Sequence, residues 1–335
     1  MSINDVNLKV KNFYERFQYP SANMQYNSNF VELINMCELF NTLYGYDFNN
    51  REILDAGTGS GDRIIEVAKN YNRSQITAID FCTNSIERAK SKAKQQNLKN
   101  ICFKEEDIMH LLSWEKKYDV IFVMGVLHHL TSPELGLKYL SGLLNEEGIL
   151  FCYLYGLHGG VDRLRQKRII EHLSYEYPDD LDFKLKICKE LQLIPKEYGW
   201  NYGDDIDDES LNSLLADCFF NVNEKLYDYN EIFHLMSGKE LSGFNILGIT
   251  TENVGSIVNL DLEKSNNYSP MNFDNINKSP FLKSIYMKLS ISDKYQLMDM
   301  FYKPNGYTVV CWKSNTVYEN DAFINLRNSY VSLNK

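Results

Sequence analysis

The chain has 335 residues, a formal net charge of −10 at pH 7 and a pI near 5.2. That balance excludes a general nucleic-acid binder, which needs a basic footprint to displace counterions from phosphates, and it suits small molecules or basic protein partners. Apolar residues make up 44% of the chain, enough core for one elaborated domain or two small ones. No run reaches the roughly 18 consecutive apolar residues that suggest a membrane span.

The seven cysteines (37, 82, 102, 152, 188, 218 and 311) are scattered and never form a C-x-x-C pair. Neither a metal site nor a disulfide framework is expected, and buried free thiols are the plainer reading. With no secretory signal visible at the N-terminus, the expected setting is the reducing cytoplasm.

In chain order, residues 1–50 read as a helical cap over the open end of a sheet. A first helical stretch is broken at Pro20, and a second, amphipathic one follows over 30–43. Tyr14, Tyr19 and Tyr26 are either pocket lining or cap packing, and packing is the commoner use of such aromatics.

Next comes Ile53-Leu54-Asp55-Ala56-Gly57-Thr58-Gly59-Ser60-Gly61-Asp62, an apolar run entering a glycine-dense turn and leaving through an amphipathic helix. This is the strand, loop and helix of a nucleotide-binding α/β unit. Alternate glycines permit positive φ and close backbone approach by a ligand. A dinucleotide fingerprint would place glycine at 62, where this chain has Asp62, an acid that repels pyrophosphate from the helix N-terminus. With Asp55 as a second anion, the loop suits a ligand with a cationic head.

An apolar strand over 75–80 ends in Asp80, followed by Phe81, at the distance expected of an acid that accepts ribose hydroxyls. After a helix over 84–96, a strand from 101 leads to Asp107 and Ile108, a carboxylate and an apolar side chain suited to an adenine amino group and ring face. A strand over 118–124 then ends in Met124 and runs into Gly125-Val126-Leu127-His128-His129-Leu130. A helix over 132–144 and a strand over 148–155 complete a regular alternation. Such alternation implies a parallel sheet with helices on both faces and a ligand site at the strands' carboxyl ends.

These elements, in this order and spacing, resemble the class I S-adenosylmethionine-dependent methyltransferases. The resemblance implies a Rossmann-like α/β fold: a seven-stranded, mostly parallel sheet with helices on both faces, a helical N-terminal cap and two insertions. It implies S-adenosyl-L-methionine as cofactor, held by Asp55, Gly57, Thr58, Gly59, Gly61, Asp80, Phe81, Asp107, Ile108 and Met124. Met124-Gly125 departs from the family, whose members often carry Asn or Asp before that glycine. The divisions expected are 1–50 cap, 51–156 cofactor-binding core, 157–228 helical insertion, 229–254 core continued, 255–305 second helical insertion, and 306–335 last strand and tail. The last strand resembles the family's seventh, which runs antiparallel at the sheet edge.

Methyl transfer from a sulfonium is an in-line displacement, so the protein must align a lone pair, exclude water and, for a protonated acceptor, take a proton. His128 and His129 are candidate bases, with backbone-bonded turn histidines as the plainer reading. Tyr153 and Tyr155 share one face of their strand and are candidates to meet the acceptor, against simple core packing. The basic run 163–168 and the acidic cluster Asp204, Asp205, Asp207, Asp208 and Glu209 read first as solvated faces, and second as sites for an anionic substrate or a basic acceptor. Asp217 and Tyr227 lie just before the return to the sheet and could reach the pocket, a placement that sequence does not fix. The expected activity is methylation of an N or O atom on a peptide, protein side chain or sizeable natural product. The alternatives are a small-metabolite methyltransferase, a non-catalytic S-adenosylmethionine-binding module, or a nicotinamide or flavin enzyme.

Overall fold

The computed structural model describes residues 3–19, 21, 32–193, 206–237, 244–251, 257–259 and 273–313. Two helices, α1 (Ile3–Arg16) and α2 (Glu32–Tyr44), precede the sheet. The first half then alternates β1 (Glu52–Ala56), α3 (Asp62–Asn70), β2 (Gln75–Asp80), α4 (Thr83–Gln95), β3 (Ile101–Glu105), β4 (Tyr118–Met124), α5 (Pro133–Leu143) and β5 (Leu144–Tyr155). Three helices follow β5, α6 (Leu157–Leu173), α7 (Leu181–Glu190) and α8 (Asp208–Phe219), and then α9 (Tyr229–Ser237) leads back to the sheet. The remainder is β6 (Asn245–Thr251), β7 (Ile257–Asn259), α10 (Pro280–Tyr286), α11 (Ile291–Tyr302) and β8 (Gly306–Trp312).

The strands form one sheet in the order β3-β2-β1-β4-β5-β8-β6-β7. β1 through β5 pair in parallel, and β8 runs antiparallel to both β5 and β6. Among the described residues the sheet therefore has eight strands rather than seven, because Ile257–Asn259 adds β7 antiparallel to β6 inside a stretch expected to be helical. The edge position expected for the last strand is also corrected. β8 is interior, satisfying backbone groups on both sides, and β7 is the edge.

Both faces of the sheet are covered, which is why β4 is apolar almost throughout and all of β1 beyond Glu52 is buried. On one face Ile53, Val120, Phe122 and Phe151 pack with Phe40 of α2 and Ile64 and Val67 of α3. On the other, Leu54, Ile121, Val123 and Leu150 pack with Leu137 and Leu140 of α5, Ile232 of α9 and Met298 of α11. Each such side chain contributes roughly 1.5–3 kcal/mol when fully buried.

The two N-terminal helices serve different layers. α2 belongs to the sheet face, whereas Phe13 and Phe17 of α1 join a separate cluster with Leu185 of α7 and Leu214, Leu215 and Phe219 of α8. Within the span expected to form one cap, α1 and α2 thus pack into different clusters. Among the described residues no helix is long and apolar enough to cross a membrane. All seven cysteines are free thiols, and only Cys102 is exposed.

Candidate active site

The loop after β1 is held open by backbone geometry. Gly57, Gly59 and Gly61 have φ of 85°, 55° and 78°, in the left-handed region that disfavours side chains. A Cβ at Gly57 would also stand 2.2 Å from a methyl of Val126, so the loop lies directly against the turn that follows β4. The space beside Gly59 is open except for the Tyr19 carbonyl, 3.5 Å from where a Cβ would be.

Asp80 fastens this loop. Its Oδ2 accepts from the Gly59 N–H at 2.8 Å and its Oδ1 from the Cys82 N–H at 2.9 Å. A carboxylate has about four lone-pair sites, so both oxygens retain acceptor capacity for a ligand hydroxyl. Burial pushes both Asp55 and Asp80 up to about 6, the hydrogen bonds on Asp80 opposing the rise. The Thr58 hydroxyl leans towards Asp55 without forming a hydrogen bond of full geometry, and is buried with no partner among the described residues. Two desolvated acids and an orphaned hydroxyl around an open glycine fit a cationic, hydroxyl-bearing ligand.

The remaining cofactor candidates lie along the same rim. Phe81 leaves β2 and meets the Tyr14 ring edge-on at 6.2 Å. Asp107 caps a 3-10 turn by accepting from the Met109 N–H at 2.9 Å, with Ile108 buried beside it. Met124 is buried at the end of β4 opposite Tyr153. The repulsion expected of Asp62 is blunted, because its carboxylate pairs with Lys92 at 2.6 Å and accepts from the Ser60 hydroxyl.

The histidine and tyrosine candidates come together as one cluster of rings. The His128 ring is fully buried and stacks on Tyr155 with 3.9 Å between centroids. Neither ring nitrogen has a well-formed hydrogen bond, the Tyr153 backbone being a loose neighbour at most, and burial holds its pKa well below the usual 6.5. His129 bonds the Asn223 carbonyl through Nδ1 at 3.0 Å. A carbonyl only accepts, so Nδ1 carries the proton. Asn223 returns hydrogen bonds to the carbonyls of His129 and Leu130, and burial lowers the His129 pKa to about 4. Burial thus favours the neutral form of both rings, with the His129 proton held on Nδ1.

Tyr155 lies between the His128 ring and the Arg163 guanidinium, the latter 4.3 Å from its centroid. Tyr153 sits 6.0 Å from Tyr155 on the same face, and its hydroxyl packs on Gly306.

Tyr14 and Asp217, both singled out in the sequence, meet here, whereas the inward turn of Arg163 and the parts played by Glu224 and Asn221 were not foreseen. Arg163, read within a solvated basic face, turns inward and pairs with Glu224 at 3.0 Å, both nearly fully buried. Tyr14 donates to Asp217 at 3.1 Å, and Asn221 donates to the Tyr14 hydroxyl at 3.2 Å. A signal existed for Asp217, a lone acid in Leu214-Leu215-Ala216-Asp217-Cys218-Phe219-Phe220, where an apolar environment forces it to be paired or functional. Of the acidic cluster, Asp207 caps α8 and Asp208 pairs with Lys189, which is ordinary helix-end chemistry. Asp204, Asp205 and Tyr26 lie outside the described residues. Tyr227 is buried beside β5, donating its N–H to the Tyr155 carbonyl at 2.9 Å.

Comparison with known proteins agrees with this geometry. Residues 47–179 match a family described as a methyltransferase domain, spanning β1 to the end of α6 and beyond. A malonyl-[acyl-carrier protein] O-methyltransferase of Bacillus cereus is 32% identical over 126 residues, covering 36% of this chain and 45% of that protein. A ubiquinone biosynthesis O-methyltransferase of Coxiella burnetii is 27% identical over 162 residues, 45% of this chain and 68% of that protein. Among solved structures, PKMT2 from Rickettsia typhi in complex with AdoHcy superposes with a TM-score of 0.57 at 19% identity, covering 83% of this chain and 52% of that one. The chain spans about half the length of several proteins it matches. Its fold is that of the methyltransferase structure it superposes on, and the match to the methyltransferase-domain model is confined to residues 47–179.

Proposed function

We propose that this protein is an S-adenosylmethionine-dependent methyltransferase. The observation that carries the reading is the open Gly57–Gly61 loop braced by Asp80, with buried Asp55 and the unpartnered Thr58 hydroxyl beside it. S-adenosylmethionine supplies a methyl group on a positively charged sulfur. Asp55, Thr58, Gly57, Gly59 and Gly61 hold its amino-acid end, Asp80 its ribose hydroxyls with Phe81 alongside, and Asp107 with Ile108 its adenine. Met124 and Val126 close the floor. The carboxylates offset the ligand's positive charge, and α1 with α8 keeps water from the reacting atoms.

The acceptor lies on the β4–β5 side, between Tyr14, Tyr155 and the first insertion. It is an N or O atom on a small molecule, peptide or larger natural product. Calorimetric titration with S-adenosylmethionine and separately with NADH tests the cofactor. The reading expects micromolar binding of the first alone, lost in Asp80→Ala. Binding of NADH instead, or binding untouched by that change, returns the fold to the dinucleotide enzymes.

A further inference from the structure

Beside the glycine loop lies a closed polar cluster walled by α1, β5, α6 and α8, and one atom in it is left over. Asp217 of α8 is 3% exposed. Its Oδ1 accepts from the Tyr14 hydroxyl at 3.1 Å, and its Oδ2 has no hydrogen-bond partner. The groups facing it are Tyr14 from α1, Tyr155 from β5, Arg163 from α6 and Glu224 from the segment after α8.

Each neighbouring cation is committed elsewhere. Arg163 pairs with Glu224 at 3.0 Å and lies over Tyr155, and Lys167 donates to the Asn221 carbonyl at 2.8 Å. Asp217 forms no ion pair among the described residues, and burial pushes its pKa up to about 7. A buried carboxylate without a counter-ion is costly, and a cation delivered by a ligand relieves that cost where a neutral hydroxyl does not.

The position is equally specific. The Tyr14 ring, whose hydroxyl holds Asp217, touches Phe81 next to Asp80 at 6.2 Å and His129 after β4 at 6.4 Å. One side chain thus joins the ribose acid's neighbour, the β4 turn and Asp217.

We propose that Asp217 is the acid of the acceptor site, binding a protonated primary or secondary amine through its free Oδ2 and taking its proton. This rests on the methyltransferase reading. The ammonium gives one proton to the carboxylate and becomes a neutral amine with a lone pair. That lone pair bonds the methyl carbon as the carbon–sulfur bond breaks, its electron pair staying on sulfur as a neutral thioether. The product is an N-methylammonium, and the proton on Asp217 leaves to water when the site opens.

The test uses the whole chain, a pool of free-amine dipeptides and the same pool N-acetylated. With S-adenosylhomocysteine bound, the free-amine pool should raise the melting temperature and the acetylated pool should not. With methyl-labelled S-adenosylmethionine, the free amines should take at least about tenfold more label. Asp217→Asn should abolish the melting shift and lower transfer about 100-fold or more, with the S-adenosylhomocysteine Kd within about twofold of wild type.

Equal response to both pools, preference for the acetylated one, no response to either while S-adenosylhomocysteine binds, or an undiminished Asp217→Asn overturns the proposal. Failure of the wild type to bind S-adenosylhomocysteine marks instead the failure of the methyltransferase reading. Should Asp217→Asn not fold, Tyr14→Phe serves. Loss of the hydroxyl that stabilises the carboxylate raises the Asp217 pKa, so the limb of the pH–rate profile that rises with pH moves upward. An unmoved limb overturns the assignment.

Discussion

The two sides of the site are built in opposite ways. The cofactor side is local: Asp55 to Gly61 is one turn, and Asp80 reaches it from the adjacent strand. The acceptor side is assembled from distant sequence, with Tyr14, Tyr155, Arg163, Asp217 and Glu224 meeting across four elements and an insertion. Backbone geometry defines the first, whereas buried charge and hydrogen bonding define the second. Mutations on the two sides should therefore separate cofactor binding from fold stability and acceptor chemistry.

The largest effect should come from Arg163→Ala, which strands the buried Glu224 carboxylate. Breaking such a pair costs about 3–5 kcal/mol, read by denaturant unfolding, and any remaining folded protein should keep its affinity for S-adenosylhomocysteine. Asp80→Ala should follow on the other side. It orphans the N–H groups of Gly59 and Cys82 at about 1–3 kcal/mol each, and cofactor affinity should fall with them in calorimetry. Gly57→Val adds left-handed strain of about 1–2 kcal/mol to a clash with Val126, so a lowered melting temperature should accompany lost binding.

A pH titration sharpens the contrast further. Asp55 and Asp80 sit at about 6 without ligand, and a cationic ligand prefers them ionised. Affinity for S-adenosylmethionine should be full above about pH 7 and fall as pH drops through 6, by about tenfold per unit for each proton that must be released. The smallest effect is expected of Tyr14→Phe. It should lose about 1 kcal/mol of stability with cofactor affinity nearly unchanged, and a large loss of cofactor affinity there would erase the distinction between the two sides.

The same contrast explains what the sequence made legible. The glycine loop, Asp80 and the strand–helix alternation depend on residues a few positions apart, so period and turn chemistry exposed them. The interior place of β8 and the added β7 depend on pairing across long insertions, which no local pattern encodes. Arg163 was unreadable for a related reason. α6 has no clean apolar stripe to show which side faces inward, and the partner that makes burial of Arg163 tolerable, Glu224, lies 61 positions further along. His128 and His129 looked catalytic because they follow β4. Their packing against Tyr155 and the Asn223 carbonyl comes from tertiary structure that no local pattern encodes.

The most direct test of the account is hydrogen exchange with and without S-adenosylhomocysteine, read segment by segment. The account predicts that the ligand slows exchange at 57–61, 80–82 and 107–109, leaving α10 and β8 unchanged. Protection absent from those segments, or concentrated away from the carboxyl ends of β1, β2 and β3, would contradict it.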